Sequence, residues 1–135
     1  MTLNTLNRIY LAISLLLFSQ YTYAEWMEVS FTDEYKAYVD IKSLSKLKDT
    51  VTMTSLYDFQ KTQKLSNETF LSVKHIREYD CNEKRQRVIH SEFFELNMGK
   101  GKLQGKTTKI YDWRDNGPNT VDEHLWQVAC AYKIK

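Results

Sequence analysis

Residues 50–59 read Thr-Val-Thr-Met-Thr-Ser-Leu-Tyr-Asp-Phe, and this stretch decides the fold. Val51, Met53, Ser55, Tyr57 and Phe59 share one face of an extended chain, while Thr50, Thr52, Thr54, Leu56 and Asp58 share the other. Side chains on a strand alternate with a period of two, so one face reads as core and the threonine face as solvent. The same logic extends downstream. In residues 70–80, Leu71, Val73, His75, Arg77 and Tyr79 alternate against Phe70, Ser72, Lys74, Ile76 and Glu78. Asn82-Glu83 reads as a tight turn, and residues 84–96 run back. There Val88, His90, Phe94 and Leu96 fall on one side, with Arg85, Arg87, Ile89, Ser91 and Phe93 on the other. Two long strands joined by a short turn predict a central hairpin.

Upstream, residues 26–31 and 36–40 predict a second hairpin across the Asp33-Glu34 turn. Ile41, Leu44 and Leu47 recur at spacing three behind Asp40, which predicts one or two helical turns with Asp40 as N-cap. Residues 60–69 are polar and read as a loop, as do residues 98–105, which hold three of the four glycines. Residues 107–113 predict a further strand, and 114–119 a turn holding the single proline, Pro118. At the end, Thr120-Val121-Asp122-Glu123 forms a capping box. Val121, Leu125, Val128, Ala129 and Tyr132 then make one apolar helical stripe. The predicted class is α+β: an antiparallel sheet of about five to six strands packed against one C-terminal α-helix.

The N-terminus reads differently. Residues 1–24 carry one charged side chain, Arg8, followed by the apolar run 9–18. As a helix that run spans only ~15 Å, too short for a hydrocarbon core of about 30 Å. Thr22 and Ala24 then occupy the small positions of a cleavage site. This predicts a signal peptide over residues 1–24, cleaved after Ala24, and a single exported domain over 25–135. Downstream there is no second long apolar stretch, so no transmembrane segment is expected in the mature chain.

The full chain of 135 residues carries 19 Lys+Arg against 17 Asp+Glu. That balance lacks the basic excess of a nucleic-acid binder, and no nucleic-acid partner is expected. There is no G-x-S-x-G and no Walker spacing, and His75, His90 and His124 occupy no chelating motif. No catalytic set, metal site or cofactor is predicted, and the chain reads as non-enzymatic. Cys81 and Cys130 are its two cysteines. In an exported protein an even pair reads as a disulfide; free thiols and metal ligands are the alternatives. Lys84, Arg85 and Arg87 place three cations in four residues. They form a candidate basic patch for an acidic protein segment or a sulfated glycan, unless Asp80 and Glu83 simply balance them at a solvated strand end.

Five local patterns carry a family resemblance. Glu25-Trp26 opens the mature chain, and Tyr38-Val39-Asp40 leads into Ile41 and Leu44. Tyr79-Asp80-Cys81, Lys84 and Arg87 mark the central hairpin, and Trp113-Arg114 precedes the Gly117-Pro118 turn. Leu125-Trp126 and Ala129-Cys130 close the helix. In this order they resemble the surface-adhesin protein E family of exported bacterial proteins, over about residues 25–132. The resemblance implies a helix tied to the sheet by the two cysteines. It implies binding to host extracellular-matrix proteins such as vitronectin and laminin, and a capacity to form homodimers. No cysteine lies near position 25, as a lipid anchor would need, so periplasm and cell surface both remain open locations. The alternative function is a periplasmic accessory or structural protein of a cell-envelope complex.

Overall fold

The computed structural model describes residues 25–132. The predicted signal peptide lies outside these residues. Six strands follow one another across the sheet in chain order, each antiparallel to the last: β1 (Trp26–Phe31), β2 (Tyr35–Leu47), β3 (Thr50–Leu65), β4 (Glu68–Asp80), β5 (Arg85–Phe94) and β6 (Leu103–Thr107). A two-residue strand, β7 (Arg114–Asp115), pairs with the start of β5. One helix, α1 (Val121–Ala131), follows. The predicted α+β class and layout are those observed, with β7 as a seventh strand.

The deciding stretch behaves as its alternation demands. Val51, Met53, Ser55 and Tyr57 are buried on the face that α1 covers, together with Ala37, Val39, Tyr79, Leu125 and Ala129. Leu56, on the threonine face, is also fully buried. A short 3-10 turn, Asn97–Gly99, lies over that side, held by a bond from the Gly99 N–H to the Ser72 hydroxyl at 2.8 Å. At Gly99 φ is +67°, a left-handed conformation that glycine adopts without strain; a Cβ there would also meet the flexible end of Lys74 at 2.6 Å.

Four expectations are corrected. The Ile41–Leu47 turn is not helical; it is the end of β2. Its partners jump from Asp40↔Thr54 to Ser45↔Thr52, so the chain bulges in between. Ser43 Oγ donates to the Asp40 carbonyl at 2.6 Å and accepts from Thr54 N–H at 2.8 Å. A serine thus replaces the missing ladder bonds, and a spacing of three arises from a bulge instead of a helix. Residues 60–69 are likewise no loop but the tip of a long β3–β4 arm, with Gln63↔Phe70 and Leu65↔Glu68 in register. Backbone pairing needs no apolar alternation, so a polar arm leaves no hydrophobic signature. Within 98–105, expected as a loop, the Asn97–Gly99 turn and the start of β6 are ordered elements. Finally, residues 107–113 do not form a strand: β6 ends at Thr107, and pairing to β5 resumes only at Arg114.

β5 also breaks its simple alternation. Ile76 pairs with His90 and Arg77 with Val88, so Ile89 is an extra residue. This bulge brings Gln86 and Val88 onto the same face as Ser91 and Phe93, which the uniform alternation had separated.

The helix is anchored at both ends. Thr120 caps it, accepting from Glu123 N–H at 3.1 Å. Glu123 reaches back one residue further than the simplest box, to Asn119 N–H at 2.7 Å. Thr120→Ala should cost about 1 kcal/mol in a urea titration, as expected for a lost N-cap. Cys130, late in α1, is bonded to Cys81 just beyond β4, with Cα atoms 5.6 Å apart. Trp126 Nε1 donates to the Asp80 carbonyl at 2.9 Å, fastening the helix to the same strand end. Tyr132, counted in the stripe, lies past the helix end and is exposed.

Candidate functional site

The structure assembles the predicted cations Lys84, Arg85 and Arg87 with two tryptophans. Arg85 faces Asp80 across the β4–β5 pair and Arg87 faces Glu78. The Arg85 guanidinium reaches Asp80 at 3.0 Å, and Arg87 Nε donates to Glu78. Both guanidiniums lie against Trp113, 5.1 and 4.5 Å from its ring centre. Lys84, in the turn before β5, has its ammonium 5.9 Å from the Trp126 ring. Asp80 also accepts the backbone N–H groups of Glu83 and Asn82, each at 3.1 Å. These bonds, the Glu83 one foremost, together with Arg85 hold its carboxyl below the usual carboxylate range.

This arrangement is a cation–aromatic ladder, not a bare basic patch. Each arginine has a carboxylate to orient it and a tryptophan face to rest on. A guanidinium has five N–H donors, so both keep donors free for an acceptor on another molecule. Trp113 was legible as part of a motif, but its stacking was not. It precedes β7, and only the return of β7 to β5 lays the ring across Arg85 and Arg87.

A second feature escaped the sequence reading. Between the pairings of β6 and β7 to β5, residues 108–113 leave the sheet edge; Tyr111 N–H donates to the Val88 carbonyl at 3.0 Å. There a cleft of about 660 Å³ opens between the sheet, this segment and the start of α1. Its residues include Arg77, which is only 6% exposed. Arg77 Nη2 donates to Tyr57 Oη at 2.8 Å, and Nη1 to Gln86 Oε1 at 3.2 Å. Asp122 Oδ1 is 3.5 Å from Nη1, whereas its Oδ2 is 3.2 Å from Arg114. Burial alone would lower the Arg77 pKa, but Tyr57, Tyr79 and Asp122 around it more than offset that. Burial also pushes the Tyr57 and Tyr79 hydroxyls above their ordinary range.

His75 shares this wall. Its Nδ1 lies 2.7 Å from Ser91 Oγ, and its ring meets Tyr57 edge-on at 5.3 Å. Burial, reinforced by Arg77, brings its pKa down to about 3, so it is neutral at pH 7. His90 sits next to it in register on the opposite face and reaches Glu92 at 3.2 Å. His124 bonds Ser30 at 2.8 Å. His75 and His124 thus both line the cleft, while His90 lies on the other face of the sheet. Among the described residues, no group of three or more His, Cys, Asp or Glu side chains is placed to hold a metal ion. The clue to Arg77 was a cation on the core face of an alternating strand.

The model of the surface-adhesin protein E family matches residues 26–131. The chain belongs to the surface-adhesin protein E family. Solved structures of protein E from Haemophilus influenzae share the fold. Crystal form II matches at TM-score 0.61 and 16% identity, covering 76% of this chain and 91% of that one. Protein E from the non-typeable organism matches at 0.62 and 16%, covering 83% and 79%. No curated protein sequence matches the chain. At this identity the likeness shows the fold alone, so the ladder and cleft are read from this chain's own residues. No described helix of this family member is long and apolar enough to cross a membrane.

Proposed function

We propose that this surface-adhesin protein E relative is exported by a signal peptide cleaved after Ala24 and acts without catalysis as an adhesin-like binding protein. Its partner is a host extracellular-matrix protein of the vitronectin or laminin kind, engaged through an acidic segment. The observation that carries this reading is the pair of guanidiniums stacked on Trp113. Arg and Trp are among the residue types that most often anchor protein interfaces, and here Arg85 and Arg87 are preorganised by Asp80 and Glu78. Held side chains lose less rotamer freedom on binding, so more of the contact energy reaches the affinity.

The test is binding of the purified protein to immobilised vitronectin, laminin and heparin over a salt series. Binding to a matrix protein should weaken with salt, and Trp113→Ala should raise Kd tenfold or more. Arg85→Ala and Arg87→Ala should each reduce the salt dependence. Binding to heparin alone would move the ligand class to a sulfated glycan. Salt-insensitive binding, or none, would sink the proposal. Stable co-purification with envelope proteins from the periplasm would favour the accessory role instead. Homodimer formation belongs to the same proposal and is read by light scattering.

A further inference from the structure

We propose that the cleft beside α1, which adjoins the Trp113 ladder at Arg87, is a binding site for a carboxylate carried on an apolar group. Charge supplies the first argument. Arg77 is buried at the cleft wall, yet its nearest carboxylate is 3.5 Å away and is held more closely by Arg114. Two guanidiniums thus share one carboxylate. Arg77 Nε is moreover a buried donor with no acceptor. The Tyr57 and Gln86 oxygens are neutral and the Asp122 carboxylate is shared, so the buried charge is only partly matched, and a carboxylate entering the cleft would complete the balance.

The walls supply the second argument. Aromatic residues Phe31, Tyr35, Phe93 and Tyr111 line the cleft together with Val88. Phe31 is 73% exposed and Tyr111 45%, so an apolar rim stands open at the mouth of a charged interior. Ligand sites typically join such apolar walls to a few fixed polar groups within ~300–1,000 Å³, and this cleft falls inside that range. Rim and arginine together select a ligand with one negative end and one greasy end. That chemistry belongs both to free hydrophobic acids and to the C-terminus of a peptide ending in an apolar residue.

Heteronuclear NMR titration of the disulfide-bonded protein separates the possibilities. The free-acid arm uses 4-phenylbutyrate against 4-phenylbutyramide; the peptide arm uses acetyl-Leu-Phe with a free C-terminus against its amide. The expected result is saturable shifts at the amides of His75, Arg77, Val88 and Tyr111, with each amide probe at least tenfold weaker than its acid. The tighter of the two acids identifies the source. Arg77→Met should abolish the acid-over-amide preference. Because that change touches a buried network, Tyr111→Ser at the exposed rim is the second variant; it should weaken the acid at least threefold with an unchanged melting temperature. Equal binding of acid and amide, shifts centred outside the cleft, full affinity in Tyr111→Ser, or no saturable shift would each overturn the proposal.

Discussion

Breaking the Cys81–Cys130 bond should be the most damaging single change, costing about 4 kcal/mol. The two cysteines are 49 residues apart. In the chain-entropy model, closing a loop of that length removes about 4 kcal/mol of unfolded-state freedom. A whole domain is stabilised by only ~5–15 kcal/mol. Other contacts also anchor the helix: Leu125 and Ala129 are buried, and Trp126 donates to the Asp80 carbonyl. The loss therefore falls on the unfolded chain, which gains freedom, more than on native contacts. Cys130→Ser should melt roughly 15 °C or more below the wild type at equal scan rate. Reduction of the wild type by dithiothreitol should reproduce most of that drop. Matching melting curves in oxidised and reduced samples would refute the assignment.

Mild acid should produce the second large effect, through His75. The groups facing it are Ser91, the Tyr57 ring and the Arg77 cation. Burial first, then Arg77, depress its pKa to about 3 in the fold. An unfolded histidine titrates near 6.5. Between those values the unfolded state holds a proton that the native state lacks, so stability rises with pH. It is fully present above about pH 6.5 and falls by about 1.4 kcal/mol per unit below it. By pH 4.5 the loss should approach 3 kcal/mol. His75→Gln removes the titrating group and should flatten the curve of stability against pH between 6.5 and 4.5. Parallel curves for the two proteins would show that His75 is not the source. Asp80, also depressed, loses its contribution only at lower pH, beneath the ordinary carboxylate range.

Some of the architecture could be read locally because the physics is local. Strand alternation needs only neighbours two apart, so the buried set Val51, Met53, Ser55 and Tyr57 was legible. The capping residues and the apolar stripe likewise located α1 almost to the residue. The cations of the ladder were visible as a run, though not their tryptophan. Where a side chain substitutes for a ladder bond, local reading fails. Ser43 does this, and the bulge it supports imitates helical spacing. The polar β3–β4 arm failed for a related reason: its order comes from backbone pairing, which carries no hydropathy signal.

Sequence alone determined that this protein is an antiparallel sheet with a capped C-terminal helix, and which two cysteines were available to join them. Those features depend on periodicity and residue type, which a chain displays without folding. Tertiary structure alone decided the cleft and its arginine. Tyr57 and Asp122 approach Arg77 from 20 and 45 residues away, and the cleft mouth exists because β6 and β7 share β5 with a gap between them. Charge balance in a buried site is a sum over whatever the fold brings near, and no stretch of sequence contains that sum.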